Sequence, residues 1–117
     1  MCGIVGFYDK LGVDSNSSRD IALNMASTIR HRGPDDCGVW LGEQNRLALS
    51  HQRLSILDIS DTGHQPMVSS SGRYILVFNG EIYNYKNIKE SLVNINWRGE
   101  SDTEVLLEAI SQWGLLK

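Results

Sequence analysis

The sequence predicts an α+β fold in which sheets and helices are stacked in layers. A strand-length apolar run comes first, a helical pattern follows, and further strands and helices succeed them with short polar connections. With 117 residues, a hydrophobic fraction of 41% and a charged fraction of 21%, the composition is that of an ordinary globular chain. The chain is therefore expected to form one domain or part of one.

The first third is predicted to hold a strand and then a helix. Residues 2–8 are apolar and punctuated by glycine, as in a buried strand. Ser17 and Asp20 have the spacing of a capping box, and residues 21–29 carry apolar side chains four positions apart, which predicts a helix. The helix should end before Pro34, because proline disfavours helical backbone at the residue that precedes it.

Strand patterns occupy the middle of the chain. Residues 39–41 and 46–50 flank a Gly-Glu-Gln-Asn turn and predict a hairpin. Another apolar run, residues 73–78, ends abruptly at Asn79 and Gly80, a pair that favours tight turns.

Two helices are predicted in the last third. Asn84 is a candidate N-cap for a short helix whose apolar residues reach position 92. Residues 101–104, Ser-Asp-Thr-Glu, have the pattern of a capping box, and the helix that follows should end near Gly114. These helices complete the predicted layered arrangement.

Charge and hydropathy exclude several classes of function. Eleven Lys and Arg against 14 Asp and Glu give a net charge of -3, which argues against a nucleic-acid binder. No apolar stretch approaches the roughly 20 residues that a membrane helix needs, and the N-terminus lacks a signal-peptide pattern. We therefore expect a cytoplasmic protein without nucleic-acid or membrane partners.

The cysteine and histidine patterns predict no disulfide framework and no metal site. Cys2 and Cys37 should remain thiols in a reducing compartment, with Cys37 an inert buried one. His31, His51 and His64 lack metal-ligand spacing, and phosphate-binding glycine motifs are missing from the sequence. We expect no metal or cofactor in this chain, and we expect His31 and His51 to be structural, hydrogen-bonded in the core.

Cys2 is the sharpest chemical clue in the sequence. Once Met1 is removed, the Cys2 thiol and the free α-amine belong to one residue, so a nucleophile and a general base are already adjacent. The alternative is a small buried apolar residue in a strand. On Cys2 alone, the structural alternative is the favoured one.

Five sequence segments, spread along nearly the whole chain, favour the nucleophile interpretation of Cys2 over the structural one. Together they resemble the class II glutamine amidotransferases and, more narrowly, the glutaminase domain of glutamine-dependent asparagine synthetases. Other branches of the class, which act on different acceptors, share some of the same motifs. The segments are residues 2–6 (CGIVG), 30–36 (RHRGPDD), 50–56 (SHQRLSI), 78–84 (FNGEIYN) and 101–104 (SDTE).

The resemblance implies a four-layer αββα N-terminal-nucleophile hydrolase sandwich of antiparallel sheets. We expect residues 1–117 to be only the N-terminal part of this type 2 amidotransferase domain, so that the sandwich is incomplete in this chain. The synthetase domain, with its ATP and Mg²⁺, is expected to lie outside these residues. Glutamine is then the small-molecule substrate, a synthetase domain or subunit receives the ammonia, and the full-length family forms homodimers.

The resemblance also implies roles for the reacting groups. Cys2 would attack the glutamine side-chain amide and form a thioester that water hydrolyses. Asn79 and Gly80 match the family's oxyanion hole, where an amide side chain and a backbone N–H can converge on one developing negative charge. The alternative for this pair is a plain turn, which is compatible with the same role.

Glutamine recognition is implied for a second group of residues. Arg53 matches the position that clasps the substrate α-carboxylate, for which a planar bidentate donor is suited; the alternative is a solvated strand arginine. Glu81 and Asp102 match positions that hold the α-ammonium, although Asp102 also suits the first turn of a helix and Glu81 could be a surface charge. Leu54 and Ser55 are assigned to the same glutamine-binding group.

Two segments are given structural interpretations, and one further class of protein stays open. Residues 33–35 are interpreted as a helix terminator and turn, which in the family also helps to build the pocket wall. Residues 63–67 are interpreted as a structural loop. A catalytically silent module remains the non-enzyme alternative to a glutaminase.

Overall fold

The structure is a computed structural model that describes residues 1–12, 14–55 and 60–116. It is a small α+β molecule with antiparallel sheets, as the sequence predicts. One sheet has three strands and the other has two. The elements are β1 (Gly3–Tyr8), α1 (Ser15–Ser27), β2 (Asp36–Leu41), β3 (Leu47–Arg53), β4 (Met67–Val68), β5 (Ile75–Leu76), α2 (Tyr85–Ser91) and α3 (Asp102–Trp113).

The three-stranded sheet places β3 between β1 and β2. Gly3 lies opposite Gln52 and Cys37 lies opposite the same residue from the other side. The β2–β3 hairpin confirms the prediction, although β2 begins at Asp36, earlier than the apolar run indicated. Because β1 starts beside the end of β3, the N-terminal residues lie next to Arg53.

Helix α1 begins earlier than predicted, and its cap is a different residue. Asp14 is the N-cap: its carboxylate accepts from the Ser17 amide at 3.0 Å and from the Ser17 hydroxyl at 2.6 Å. The capping box predicted at Ser17 and Asp20 is therefore wrong. Aspartate is as good a cap as serine, and the polar residues after Asp14 fit the exposed first turn.

The buried face of α1 is made of small side chains. Ser18, Ala22 and Ala26 are buried against the three-stranded sheet, while Ile21 is 43% exposed. The predicted apolar stripe is thus offset from the face that packs. Small residues let the helix approach the strands closely. The buried Ser18 hydroxyl donates a hydrogen bond to the Asn45 carbonyl oxygen at 3.1 Å.

The strand predicted at residues 73–78 is much shorter in the structure. Only Ile75 and Leu76 pair with another strand, β4. The chain then leaves the ladder before it reaches Asn79 and Gly80. Buried side chains, described below, hold the backbone there instead of a neighbouring strand.

Helices α2 and α3 enclose a small apolar cluster. Leu92, Val105 and Ala109 form its buried centre. As predicted, Ser101 caps α3 by accepting from the Glu104 amide at 3.2 Å, and the helix ends at Gly114, whose φ is +83°. Asn84 occupies the N-cap position of α2, but its side chain makes no capping hydrogen bond.

Two buried carboxylates fasten α3 to the loops around it. Glu104 accepts from the backbone amides of Arg98 and Gly99 at 2.8 and 3.0 Å. Glu108 accepts from the amide and hydroxyl of Ser70, both at 2.7 Å. These contacts fix the first turn of α3, where Asp102 lies.

None of the helices in the described part of the chain combines the length and the apolarity that crossing a membrane requires.

Candidate active site

A cavity of about 290 Å³ opens beside Cys2, between the start of β1, the end of β3 and the first turn of α3. Most of the residues predicted for the site line it. They are Cys2, Arg53, Leu54, Asn79, Gly80, Glu81 and Asp102. Other residues complete the lining: Met1, Gly63, Gln65, Phe78, Tyr83, Ser101 and Thr103.

The half-buried Cys2 thiol lies against the backbone of Leu54. The Leu54 amide lies 3.3 Å from Sγ, and the thiol is 3.6 Å from the Leu54 carbonyl oxygen. The Cys2 backbone is held from another side, because Arg32 Nε donates to its carbonyl oxygen at 3.2 Å. The nucleophile candidate is thus fixed through both its backbone and its side chain.

Arg53, the last residue of β3, points its guanidinium into the cavity wall. The residue is only 8% exposed, and Nη1 donates to the Ser60 carbonyl oxygen at 2.8 Å. The guanidinium also lies so close to Gly63 that a Cβ on that residue would collide with it. Arg53 forms no ion pair with any carboxylate of the described residues. Its charge is therefore available to an anion in the cavity.

Asn79 and Gly80 form an exposed turn at the mouth of the cavity. Among the described residues, none accepts a hydrogen bond from the Gly80 amide or from the Asn79 side chain. A Cβ at Gly80 would lie 2.8 Å from the Phe78 ring, so glycine suits this close approach. The arrangement leaves two donors free to meet a ligand atom, as an oxyanion hole requires.

The two predicted acidic residues differ in their surroundings. Asp102 is 6% exposed, and its Oδ2 accepts from the Ile82 amide at 2.8 Å. Glu81 is exposed at the cavity rim. Arg53 and these two acidic residues line the same cavity, which suits a ligand that carries both a negative and a positive charge.

Ser55 lies outside the cavity lining. Its amide donates to Asp35 Oδ2 at 2.8 Å, which ties the residue after Leu54 to the turn before β2. Residues 33–35 act as this turn and do not contribute to the cavity wall. The structure brings together seven of the eight predicted site residues and leaves Ser55 apart.

The loop interpreted as structural supplies part of the site. Gly63 and Gln65, from residues 63–67, both line the cavity. Gln65 is 5% exposed and bonded at both ends: Oε1 accepts from the Phe78 amide at 2.7 Å, and Nε2 donates to Thr103 Oγ1 at 3.4 Å. The sequence offered one signal for this role, the polar Gln65 in a segment with glycine and proline. Such segments are also common in plain turns.

The predictions for the histidines and for Cys37 are confirmed in one case and wrong in two. His51 is 1% exposed and hydrogen-bonded, with Nε2 3.1 Å from the Phe78 carbonyl oxygen, which confirms the prediction. Burial lowers the pKa of His51, and the Arg53 charge acts in the same direction. His31 is exposed, so its predicted core position is wrong. Cys37 is also exposed, on an edge strand, and the prediction of a buried thiol is wrong.

A comparison with protein families identifies the chain. The family described as "Glutamine amidotransferase domain" matches residues 1–117. The chain belongs to this family. The resemblance seen in the five sequence segments is therefore confirmed, and the cavity beside Cys2 lies in a glutamine amidotransferase domain.

Named relatives of this amidotransferase domain have longer chains. It is 37% identical over 117 residues to the "Probable asparagine synthetase, glutamine-hydrolyzing" of Schizosaccharomyces pombe, covering 97% of this chain and 20% of that protein. It is 36% identical over 115 residues to asparagine synthetase 1, glutamine-hydrolyzing, of Arabidopsis thaliana, covering 98% and 19%. A protein of Gibberella zeae named Amidase chry2 is 33% identical over 124 residues, covering 98% and 18%. The chain spans about a fifth of the length of these relatives.

Proposed function

We propose that this chain is the glutaminase part of a glutamine-dependent asparagine synthetase, with Cys2 as the nucleophile. The observation that carries the proposal is one cavity shared by a thiol, a guanidinium, two oxyanion donors and a buried carboxylate; among the described residues, the guanidinium has no ion pair and the two donors have no acceptor. Each group matches one chemical feature of a free glutamine molecule or of its hydrolysis.

The first half-reaction needs Met1 to be removed. Met1 lines the cavity in the structure, so its removal frees the Cys2 α-amine and also enlarges the space beside Sγ. The amine accepts the thiol proton while sulfur attacks the side-chain amide carbon of glutamine. The same proton then goes to the departing nitrogen, so that ammonia leaves and a thioester remains.

The second half-reaction regenerates the thiol. The amine accepts a proton from water, the water oxygen attacks the thioester carbon, and the carbon–sulfur bond breaks as the proton returns to sulfur. In both half-reactions negative charge develops on the carbonyl oxygen. The Asn79 side chain and the Gly80 amide would stabilise that charge, because they are donors already in place before the reaction.

Substrate selection would use the positive and negative side chains that line the cavity. Arg53 would hold the α-carboxylate of glutamine in a two-pronged hydrogen bond. Asp102 and Glu81 would hold the α-ammonium. Leu54 would contribute through its backbone beside Sγ, while a role for Ser55 would require the segment after β3 to shift, because its amide is already bonded to Asp35.

Membership of the family supports a proposal for the complete fold and for the fate of the ammonia. The two antiparallel sheets and their helices would belong to a four-layer αββα N-terminal-nucleophile sandwich. The ammonia would pass to a synthetase domain or subunit that uses ATP and Mg²⁺ to convert aspartate to asparagine, in a homodimeric cytoplasmic enzyme.

A different ammonia acceptor is the second candidate. The relative named Amidase chry2 matches nearly the same share of this chain as the asparagine synthetases do. The roles proposed for the cavity residues are to bind and cleave glutamine, and these roles do not depend on which acceptor receives the ammonia. Supplying aspartate with ATP and glutamine to the full-length protein, and measuring asparagine, separates these candidates.

The glutaminase proposal is tested with Cys2→Ala and a matched thiol control. Cys2→Ala should abolish glutamate release from glutamine, whereas synthesis driven by added ammonia should survive, because only nitrogen release passes through the thiol. Cys2→Ser should be nearly inactive, since a hydroxyl is much harder to deprotonate. Cys37→Ala, which removes the exposed thiol, should retain wild-type activity.

Intact mass provides an independent check on the same proposal. The purified protein should be short of one methionine residue. A retained Met1 would block the amine and support a catalytically silent module. Glutamate release by Cys2→Ala at the wild-type rate would exclude Cys2 as the nucleophile.

A further inference from the structure

Two buried side chains hold both backbone polar groups of Phe78, the residue immediately before Asn79 and Gly80. His51 Nε2 lies 3.1 Å from the Phe78 carbonyl oxygen, and the Phe78 amide donates to Gln65 Oε1 at 2.7 Å. His51 is 1% exposed and Gln65 is 5% exposed. Neither residue is among those implied to touch glutamine.

These contacts replace the strand pairing that the sequence predicts at this point. Strand β5 ends at Leu76, so the Phe78 amide and carbonyl have no partner in a strand of the described residues. A buried peptide group without a partner is costly, and here side chains from two different segments meet that need. His51 comes from the central strand β3, two residues before Arg53, and Gln65 comes from the loop that contacts Arg53 through Gly63.

We propose that His51 and Gln65 are positioning residues that set the Asn79 and Gly80 donors against Cys2 Sγ. The inference rests on the proposed glutaminase function and adds to it a means by which the oxyanion hole is held in place. Both residues act through Phe78, and Gln65 also donates to Thr103. The donors of an oxyanion hole must be placed within about half an ångström of their productive geometry, and the Asn79–Gly80 turn is itself exposed.

The far side of the turn is held by α3. Gln65 Nε2 donates to Thr103 Oγ1, and the neighbouring Asp102 accepts from the Ile82 amide. The turn between Phe78 and Ile82 is therefore anchored before and after the two donors. This leaves Asn79 and Gly80 as the free part of a segment fixed at its ends.

His51 donates its Nε2 proton, because a carbonyl oxygen can only accept. The tautomer that meets this need leaves Nδ1 without a proton, and Nδ1 is buried with no partner among the described residues. The charged and titratable groups near the ring are Arg53, Asp36 and His64. The positioning role therefore uses neutral His51 and requires no proton transfer.

The test uses variants of the full-length protein and separates kcat from KM. His51→Met and Gln65→Met keep side-chain bulk but remove the hydrogen bonds to Phe78. We expect each to lower kcat for glutamate release about 10- to 100-fold, with KM for glutamine within about threefold of wild type, because misplaced oxyanion donors act mainly in the transition state. His51→Gln, whose amide can donate to the same carbonyl, should restore kcat to within about fivefold of wild type.

Gln52→Met is the matched control. Gln52 is as buried as Gln65, at 5% exposure, and lies next to His51 on β3, but it does not line the cavity. It should leave kcat within about twofold of wild type. Loss of kcat in Gln52→Met equal to that in Gln65→Met would overturn the proposal, as would unchanged kcat in both His51→Met and Gln65→Met.

Amide hydrogen exchange in the wild-type protein gives a readout that depends neither on activity nor on whether the variants fold. In the wild-type protein the Phe78 amide should exchange at least tenfold more slowly than the Gly80 amide, which has no acceptor among the described residues. Equal exchange at the two positions would overturn the positioning role. A wild-type protein that lacks glutaminase activity yet shows the protected Phe78 amide would refute the proposed function while leaving the placement of the turn supported.

Discussion

In the proposed glutamine site, the charge of the Arg53 side chain and its shape would contribute separately to substrate binding. The guanidinium is fixed by the Ser60 carbonyl and by the space at Gly63. A carboxylate held there would meet two parallel N–H groups, whereas a lysine would offer the same charge without that geometry.

Arg53→Lys should therefore raise KM for glutamine about 10- to 100-fold and lower kcat by less than about fivefold. The α-carboxylate stays bound from the ground state to the transition state, so its loss is mainly a loss of uniform binding. Steady-state glutamate release measures both constants. An unchanged KM would remove Arg53 from the glutamine site.

Asn79→Ala should have the opposite effect on the two constants, lowering kcat much more than it changes KM. Its side-chain donor meets charge that develops only in the transition state, and removal of one such donor costs roughly 10²- to 10³-fold in kcat. KM should change little. The same assay checks this result. A variant in which KM rises while kcat is unchanged would show that Asn79 binds the substrate amide in its ground state.

His51 should make stability depend on pH. Burial holds the pKa of His51 below its usual value of about 6.5, so the unfolded chain binds this proton more tightly than the folded protein does. The free energy of unfolding should be greatest above about pH 6.5 and should decrease as the pH falls below that value. Urea melts between pH 7.5 and 5.5 measure it. His51→Gln should flatten the dependence, whereas His31→Gln, at an exposed position, should retain it.

At the scale of elements, the start of α1 depends on one carboxylate. Asp14 accepts two hydrogen bonds from Ser17, whereas Asp20 lies on the exposed surface within the helix. Asp14→Ala should lower Tm by a few degrees, and Asp20→Ala should leave it nearly unchanged.

The contribution of Asp14 to the stability of the protein should also be lost at low pH. The Ser17 hydroxyl and amide lower the pKa of Asp14, so its contribution is present at neutral pH and is lost as the pH falls below about 4. Thermal melts of both variants at pH 7 and pH 3 check this. An equal loss of stability in Asp20→Ala at pH 7 would restore the capping box that the sequence predicted.

The elements whose signals are local were predicted well. The cap at Ser101, the end at Gly114 and the strand over residues 3–8 depend on neighbours a few positions away, which the sequence displays directly. The cavity residues were located by their resemblance to the family. Gln65 was missed as a site residue because its partners, Phe78 and Thr103, are 13 and 38 positions away. Cys37 was misjudged because the exposure of its side chain depends on which elements pack over β2, and residues distant in sequence decide that packing.

At the scale of the whole molecule, one face of the three-stranded sheet is apolar and exposed where Ile4, Tyr8 and Leu47 lie, whereas His51 and Arg53 on the same face are buried. The exposed part is called the open face below. Helix α1 covers the other face, whereas Ile4, Tyr8 and Leu47 on the open face are 42%, 68% and 36% exposed. Exposed apolar patches of this kind favour aggregation or burial against another surface.

Residues 1–117 expressed alone should therefore be only marginally soluble and inactive as a glutaminase. They should bind a fluorescent apolar dye strongly and melt without a sharp transition. Tyr8→Thr, which reduces the apolar area on the open face, should lower dye binding. A sharp melt together with glutamine hydrolysis by residues 1–117 would show that this part of the protein is self-sufficient.

The position of Met1 in the cavity has a practical consequence for protein production. Any affinity tag or leftover cleavage residue joined to the N-terminus would occupy the space that Met1 occupies. In the proposed mechanism, it would also keep the Cys2 amine as an amide, so that it could not act as the base. Such a preparation would be folded yet inert, and its inactivity would say nothing about the native enzyme. Tags belong at the other end of the molecule, and expression hosts should be chosen for efficient methionine aminopeptidase processing.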